Sequence, residues 1–392
     1  MRKILRLILL KPVLWAMEKF SSKPMRNRIF EALSKLFSTI RHDPGKKGLV
    51  ISFEEQTGKF IVLSDQHKGA RDGADDFMPA EPNYLAALDH YSKNGFVYIN
   101  LGDSEELWEN RLTKVKKYNT ATFEAEKIFL QQNAFIKIFG NHDLYWDNDP
   151  LAWMQLKNIY GEKLKVYEGV LLQTTVNGPQ STAEQPDITN IGQQASNENI
   201  PLPAHHLPLT IFLTHGHQGD AQSDGNWFSK FFVANIWAPL QAFLRINPNT
   251  PAYDAVKKTL HNVMMYEWSS QQKNILLITG HTHQPVFGSL THLERLYQQY
   301  QAGKKKNDDL LLKELEKQIK QRDPGFTEVT GDYSGTKPSY FNSGCCCFSD
   351  GDITGIEIAD GCVRLIKWEL QEKIPQRIVL EEMTLKELSE QL

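Results

Sequence analysis

Five short runs of apolar residues recur along the chain, and polar residues follow each run directly. These runs are residues 60–63, 96–101, 135–139, 209–213 and 275–278. Short runs rich in Ile, Val, Leu and Phe are typical of strands that are buried on both faces. Helical patterns at residues 84–92 and 122–132 separate the first three runs. The pattern predicts an α/β domain whose functional site lies past the strand ends.

Residues 1–48 have a different pattern, which predicts two short basic amphipathic helices that meet near residues 21–24. In the second helix, apolar residues recur at helical spacing with Arg and Lys among them: Ile29, Leu33, Leu36, Phe37 and Ile40. The segment carries twelve Lys or Arg and three Asp or Glu, a net charge of +9 in a chain of net charge −3. We expect residues 1–41 to bind an anionic membrane surface. The alternative is a helix that packs on the protein's own core.

Residues 49–375 are predicted to form one globular domain that carries two helical inserts. The inserts are residues 221–270 and 290–323, and a Gln- and Asn-rich surface loop is predicted at residues 176–200. The tail, residues 376–392, is predicted to be helical.

A hairpin is predicted near the end of the globular domain. Two apolar-rich stretches, residues 353–359 and 362–369, flank the dipeptide Asp360-Gly361. Asp-Gly is a favoured pair for a two-residue turn between antiparallel strands.

Composition and charge exclude several function classes. The chain is 41% hydrophobic and 23% charged, as is usual for a soluble globular protein. Its net charge of −3 argues against a nucleic-acid partner, because such affinity rests on Lys and Arg that neutralise phosphates. No stretch reaches the roughly 18–20 apolar residues of a membrane-spanning helix. We therefore expect a cytoplasmic protein that is peripheral at the inner face of the membrane.

Three of the four cysteines are adjacent, Cys345, Cys346 and Cys347, and the fourth is Cys362. Adjacent cysteines do not form the framework of a disulfide-stapled secreted protein. One interpretation is metal binding or redox chemistry, and the other is a set of small apolar residues in a buried strand. We favour the buried strand and reduced thiols, which fits the cytosol.

The polar residues that follow the five apolar runs form a donor set for metal ions. They are Asp65, His67, Asp103, Asn141, His215, His281 and His283. Carboxylate, amide and imidazole groups without thiolate suit divalent manganese, iron or zinc. Two such ions about 3.5–4 Å apart can clamp the attacking and the leaving oxygen of a phosphoryl group. Each short motif is weak alone, but all five in order after apolar runs form a specific pattern.

These motifs resemble those of the calcineurin-like metallophosphoesterases. The matching segments are Asp65-Gln66-His67, Gly102-Asp103, Gly140-Asn141-His142-Asp143, Thr214-His215-Gly216 and Gly280-His281-Thr282-His283. The segment Tyr340-Phe341-Asn342-Ser343-Gly344 is similar to the one that closes the domain in that family. The resemblance implies a two-layer β sandwich flanked by helices, with two metal ions at the sandwich edge.

The resemblance also implies a role for each residue. Asp65, His67 and His283 would hold the first ion, whereas Asn141, His215 and His281 would hold the second. Asp103 would bridge the two ions. His142 would contact the phosphoryl oxygens and assist departure of the leaving group, and Asp143 would hydrogen-bond to His142 and orient it. His217 is expected to lie behind the ligands or to face the substrate.

One branch of that family, the UDP-diacylglucosamine hydrolases, is similar in two further segments. These are Gly102-Asp103-Ser104-Glu105-Glu106-Leu107-Trp108 and Gly280-His281-Thr282-His283-Gln284-Pro285. The resemblance implies a pyrophosphate or phosphoester substrate that is linked to a lipid. The chain departs from this branch at His142, where Arg is usual, and at Gln66, where Leu is usual.

The first insert supports a lipid-like substrate. Its first half is apolar nearly all round, with Trp227, Phe228, Phe231, Phe232, Val233, Ile236, Trp237, Leu240, Phe243 and Leu244. Such a helix must be buried in protein or meet lipid. We predict a helical lid, kinked at Pro239, that binds an acyl chain. The alternative is an insert that completes the core.

Three rival functions come from other classes. A soluble nucleotide or protein phosphatase would use the same site without lipid, and only the dependence of activity on lipid would separate it. A nuclease of the same superfamily is disfavoured by the acidic body of the chain. A membrane-associated scaffold with an inactive site would lack metal in the purified protein.

Overall fold

The fold is mixed α/β, with two seven-stranded sheets and ten helices in the described part of the chain. The structure is a computed structural model. It describes residues 24–72, 75–175, 208–220, 255–323, 326–329, 331–333 and 335–392. The strands are β1 (Gly48–Phe53), β2 (Phe60–Leu63), β3 (Val97–Leu101), β4 (Phe135–Ile138), β5 (Val166–Tyr167), β6 (Gly169–Thr174), β7 (Thr210–Thr214), β8 (Ile275–Thr279), β9 (Val286–Phe287), β10 (Leu290–Thr291), β11 (Tyr340–Asn342), β12 (Ile353–Ala359), β13 (Cys362–Gln371) and β14 (Ile374–Thr384). The helices are α1 (Arg26–His42), α2 (Glu81–Lys93), α3 (Leu112–Tyr118), α4 (Thr120–Gln131), α5 (Tyr145–Asn148), α6 (Ala152–Tyr160), α7 (Ala255–Ser270), α8 (His292–Lys306), α9 (Asp309–Arg322) and α10 (Leu385–Gln391).

All five predicted strands are present, and they belong to two different sheets. The first sheet has the order β14-β13-β12-β2-β3-β4-β5, in which β2, β3 and β4 are parallel neighbours. The second sheet has the order β1-β6-β7-β8-β11-β9-β10, in which β7, β8 and β11 are parallel neighbours. Because parallel strands point the same way, the polar residues after them gather at one edge of each sheet.

The two sheets share one apolar core. In β2, Phe60 and Val62 face a cluster that also includes Ile211 and Leu276 of the other sheet. The alternate residue Ile61 packs in a second cluster with residues of α2 and α4. Both faces of these strands are therefore buried, which explains their continuous apolar runs. This arrangement is compatible with the predicted sandwich flanked by helices.

Helix α1 packs on the second sheet. Its buried apolar side chains, Ile29, Leu33, Leu36 and Ile40, share a cluster with Leu171, Phe212, Leu277 and Trp268. Residues 26–42 therefore pack on the core, as in the alternative interpretation, and binding of the segment to a membrane stays a prediction. The rest of the predicted membrane-binding segment, residues 1–23, lies outside the described residues.

The C-terminal prediction needs a correction. Residues 374–384 form β14, which pairs antiparallel with β13, and the helix begins only at Leu385. The predicted domain end at residue 375 therefore falls inside a strand. Residues on both faces of β14 are partly exposed, so this edge strand lacks the alternation that would have distinguished it from a helix.

The predicted hairpin is present, and the second predicted insert is helical from His292 to Arg322 apart from a short turn. Strands β12 and β13 pair from Ile353↔Trp368 to Ala359↔Cys362, with both turn residues at positive φ. Helices α8 and α9 form a separate small cluster around Leu296, Leu315 and Ile319.

The described end of the first insert is α7, which packs on the body through buried Met265 and Trp268. The predicted acyl-chain lid at residues 221–254 and the predicted loop at residues 176–200 lie outside the described residues. No helix in the described ranges is long and apolar enough to cross a membrane.

Candidate metal centre

The strand ends bring all seven predicted ligands to one place. Five of these residues have a left-handed backbone, with φ between 50° and 69°: Asp65, His67, Asp103, His281 and His283. This conformation costs a non-glycine residue about 1–3 kcal/mol and is concentrated at functional sites. The chain is therefore bent sharply after β2, β3 and β8, and the sheets on which these loops rest hold the strain.

Asp65, His67 and His283 form the first group. His67 Nε2 lies 3.1 Å from His283 Nε2, and His283 Nε2 lies 3.2 Å from Asp65 Oδ1. The backbone N–H of His281 donates to both carboxylate oxygens of Asp65, at 3.2 and 3.0 Å. These contacts fix the carboxylate and turn two imidazole nitrogens toward the same point.

Asp103 lies between the first group and a second group. Its Oδ2 is 3.9 Å from His67 Nε2 and 3.1 Å from His215 Nε2. The amide oxygen of Asn141 is 3.2 Å from the same His215 nitrogen. Donor atoms of Asp103, His215 and His281 all lie within 4.8 Å of one another. The position of Asp103 fits the predicted bridging role.

A buried nitrogen atom without a partner supports a cation at this place. Nε2 of the predicted ligand His281 makes no hydrogen bond with any described residue, although the side chain is buried. Buried polar atoms without partners are rare, and an absent ion is one explanation for them. With two carboxylates and one amide oxygen, this donor set fits divalent transition metals.

The charges at the site depend on one another. Burial alone would raise the pKa of Asp103, but the neighbouring His215 and His142 hold that pKa well below its usual range. Burial lowers the pKa of His215, but Asp103 more than offsets this effect and raises it to about 9. By contrast, burial and the charge of His215 lower the pKa of His217 to about 3. His217 is therefore a neutral imidazole, and it lies 5.4 Å from the His215 ring.

His142 is held by the loop that follows β3. Its ring stacks on Trp108, with centroids 4.3 Å apart and planes at 22°. Glu106 Oε2 lies 2.7 Å from His142 Nδ1 and 2.9 Å from His67 Nδ1, so one carboxylate serves both imidazoles. The 2.7 Å contact with His142 does not have the geometry of a hydrogen bond.

The predicted role of Asp143 is wrong. Its carboxylate accepts the backbone N–H groups of Ser104, at 2.9 Å, and Gly140, at 2.6 Å, and it does not hydrogen-bond to His142. Burial raises the pKa of Asp143 to about 6, although Lys137 opposes the shift. Asp143 connects the loop after β4 to the loop after β3. The carboxylate that contacts His142 is that of Glu106, and not that of Asp143 as predicted.

Two glycines allow these loops to meet. Gly102 has φ +96°, and a Cβ atom there would lie 2.8 Å from His215 Nδ1. A Cβ atom on Gly140 would lie 2.2 Å from Asp103 Oδ1. Any larger residue would therefore displace a predicted ligand.

Behind the first three motifs lies a buried charged network, which we call the Lys–Glu network: Lys68, Glu105, Glu126 and Lys137. Lys68 Nζ lies 2.5 Å from Glu126 Oε1 and 3.3 Å from Glu105 Oε1. Lys137 Nζ lies 3.0 Å from Glu105, and all four side chains are fully buried. Burial would raise the pKa of Glu105, but Lys137 and Lys68 lower it to about 2.

Behind the last two motifs lies a neutral network around Asn342. Its Nδ2 donates to the Gly280 carbonyl at 2.6 Å and contacts the Thr282 hydroxyl at 3.2 Å. Its Oδ1 accepts the N–H of Gly344 at 2.9 Å. These bonds hold the loop that carries His281 and His283.

The sequence interpretation missed Glu106 and His261. Glu106 lies in a segment that carried the family resemblance, but nothing in its pattern distinguished it from its neighbour Glu105. His261 is in α7, where its Nε2 lies 2.7 Å from the Gly216 carbonyl and its ring is 5.0 Å from that of His281. No sequence feature links this helix to the motif loops.

The adjacent cysteines are buried, as expected, but they lie in the loop after β11 and not in a strand. Cys347 Sγ lies 3.7 Å from His283 Nδ1. Burial would raise the pKa of Cys345, but its hydrogen bond with Cys347 and the charge of His283 lower it to about 6. Two of the three thiols therefore border the candidate centre.

Comparison with known proteins does not identify a family for this chain: no protein-family model and no curated protein matches it. The resemblance to the calcineurin-like metallophosphoesterases therefore rests on the motifs alone and stays a prediction.

Proposed function

We propose that this protein is an enzyme that hydrolyses phosphoester or pyrophosphate bonds with two divalent transition-metal ions. Manganese is the expected metal, and iron and zinc are the alternatives. One observation carries the proposal: the carboxylate of Asp103 and six oxygen and nitrogen donors from four other strand ends come together at one place. We also propose that the two sheets form the two-layer sandwich of the calcineurin-like metallophosphoesterases.

The residues would divide into two ligand sets with a shared member. Asp65, His67 and His283 would hold one ion, and Asp103 would lie between both. The other ion would be held by Asn141, His215 and His281. When bound, the ions supply an activated water and neutralise charge on the phosphoryl oxygens. Nδ1 of His215 donates a hydrogen bond to the Leu101 carbonyl at 2.9 Å, which fixes the orientation of the ring.

His142 is proposed to act on the substrate rather than on a metal. Trp108 restricts rotation of its ring, and the Glu106 carboxylate favours a proton on Nδ1. Nε2 has no hydrogen-bond partner among the described residues, so the doubly protonated ring could give its Nε2 proton to the leaving oxygen and become neutral, with its remaining proton on Nδ1. The proposal needs no covalent phosphoenzyme, because water is the nucleophile.

The substrate class is a finer proposal. We propose a lipid-linked phosphoester or pyrophosphate at the cytoplasmic face of a membrane, on the basis of the motif resemblance and the apolar residues of the first insert. A soluble nucleotide or protein phosphatase remains the alternative. The test is one head group with long and short acyl chains: the lipid proposal requires kcat/KM to rise with chain length.

The phosphoesterase proposal is tested by metal analysis and a substrate screen on the full chain. We expect two transition-metal ions per chain and hydrolysis of phosphomonoesters, phosphodiesters or nucleoside diphosphate lipids that stops on chelation and returns with manganese. A purified chain that binds no divalent ion, or that holds two ions and hydrolyses none of these classes, would contradict it. The latter result would favour an inactive scaffold.

A further inference from the structure

We propose that the thiols of Cys345 and Cys347 form the outer hydrogen-bonding partner of His283 and thereby set the affinity of the first metal position. This inference rests on the proposed function, because it assigns a role within the same centre. The observation behind it is that the side of the His283 ring opposite Asp65 faces sulfur atoms. Cys347 Sγ lies 3.7 Å from Nδ1, and Cys345 is the neighbouring thiol that interacts with both His283 and Cys347.

The chemistry of a metal-bound imidazole makes this contact important. When one ring nitrogen binds a metal, the other carries a proton and donates it to an outer group, usually a carboxylate, a backbone carbonyl or water. That outer group fixes the tautomer and orientation of the ring. In this chain His67 donates to Glu106, and His215 donates to the Leu101 carbonyl. The group that contacts Nδ1 of His283 is the thiol of Cys347.

The backbone holds the thiols in this position. The N–H of Cys346 lies 3.1 Å from the Ser64 carbonyl and 3.2 Å from that of Asp65, and the N–H of Cys345 donates to the Thr354 hydroxyl at 3.3 Å. The cysteine loop is therefore fixed to the segment that carries the ligand Asp65. The side chain of Cys346 points elsewhere, toward the Thr354 carbonyl at 3.9 Å.

The adjacent cysteines thus provide their own matched control. Cys346 is as buried as its neighbours, but its sulfur does not contact His283. Replacing Cys346 by Ala removes a sulfur from the same loop and leaves the His283 contacts in place. Cys362, in β13 and away from the centre, is a second control.

The experiment measures metal affinity in the full chain by competition with a chromogenic chelator. We expect the double variant Cys345→Ala, Cys347→Ala to bind one of the two manganese ions with roughly 10–100-fold lower affinity, as for loss of other outer partners. The affinity for the other ion should not change. Cys345→Ser with Cys347→Ser should restore most of that affinity, because a hydroxyl also accepts a hydrogen bond. Cys346→Ala and Cys362→Ala should bind both ions as the unaltered chain does.

Three results would overturn the inference. They are unchanged affinity in the double alanine variant, an equal loss of both ions, and the same loss in Cys346→Ala. If the double variant fails to fold, the two single alanine variants carry the comparison, and each should weaken the same ion. If the unaltered chain binds no divalent ion, the proposed function itself fails. If it binds two and hydrolyses phosphoesters while the alanine variants match it, only this inference fails.

Discussion

The two halves of the candidate centre are supported by different chemistry. The half that follows β2, β3 and β4 is supported by buried charged side chains. Glu106 hydrogen-bonds to His67, and the Lys–Glu network lies behind the loops. The half that follows β7 and β8 rests mainly on neutral groups, namely carbonyls, hydroxyls and the Asn342 amide. Charged support is strong but sensitive to pH and to loss of one partner, whereas neutral support is weaker and insensitive to pH.

The largest effect on metal binding and activity is expected at Asp103, which lies between the two halves. Asp103→Ala removes the carboxylate that faces both ligand sets, so we expect loss of both ions and of all measurable hydrolysis. Metal analysis and activity assays check this prediction. A variant that keeps one ion would show that the halves bind metal independently, and full activity would refute the site assignment.

His142→Ala tests whether the charged half also provides the group that acts on substrate. We expect kcat to fall by about 10²–10⁴-fold, the usual contribution of a general acid, while metal content stays near that of the unaltered chain. Loss of metal together with rate would make His142 a ligand. Cys362→Ala, far from the centre, is the control for handling and folding.

Lys137→Met and Asn342→Ala compare the two supports directly. Removing Lys137 leaves Glu105 buried with a weaker partner, and breaking such a pair costs about 3–5 kcal/mol. Removing the Asn342 amide breaks neutral bonds of about 0.5–1.5 kcal/mol each, so we expect a loss of roughly 2 kcal/mol. Urea unfolding measures both. A larger loss for Asn342→Ala would reverse the comparison.

Acid should weaken the charged half first. The pKa of Glu105 is lowered from its usual 4.5 to about 2, so its ionised form stabilises the fold above pH 4.5. That contribution is lost as the pH falls from 4.5 toward 2. We expect the unfolding free energy to decrease over this range, and Lys137→Met, which removes the main cause of the shift, to flatten the decrease. An equal slope in both proteins would contradict this origin.

The smallest effect is expected for Glu106→Gln. The amide keeps the shape of the carboxylate but loses the charge that favours a proton on Nδ1 of His142. We expect hydrolysis of esters with a poor leaving group to fall about tenfold, and those with a good leaving group to change little, because proton transfer matters least for them. A uniform decrease would indicate that Glu106 acts only through His67 and metal binding.

The strands and the ligand residues could be predicted from the sequence because both follow from local pattern. An apolar run such as residues 60–63 fits only an element buried on both faces, and the polar residues after it have no place in the core. The side-chain partners could not be predicted in the same way. Asp143 is next to His142 in sequence, but its carboxylate points to Ser104 and Gly140 instead.

Amphipathic and weakly patterned segments show the other limit of the sequence. The apolar stripe of α1 is equally suited to a bilayer and to a sheet, and the sequence does not show that Leu171 and Phe212 lie opposite it. The strand β14 is an edge strand with exposed residues on both faces, so its sequence lacks the alternation that indicates a strand. In both cases the missing information is which surface lies opposite.

The strand order of the first sheet has a consequence for synthesis on the ribosome. Strand β2, which delivers Asp65, has β12 as one neighbour, and the Ser64 hydroxyl contacts that of Ser343 at 2.8 Å. The ribosome synthesises the chain from the N-terminus, so β2 is made almost 300 residues before its neighbour β12. We therefore expect nascent chains that end before β11 to contain every predicted ligand and still to lack an assembled centre. Under the proposed function, the last strands would keep the hydrolytic site from forming on an incomplete polypeptide.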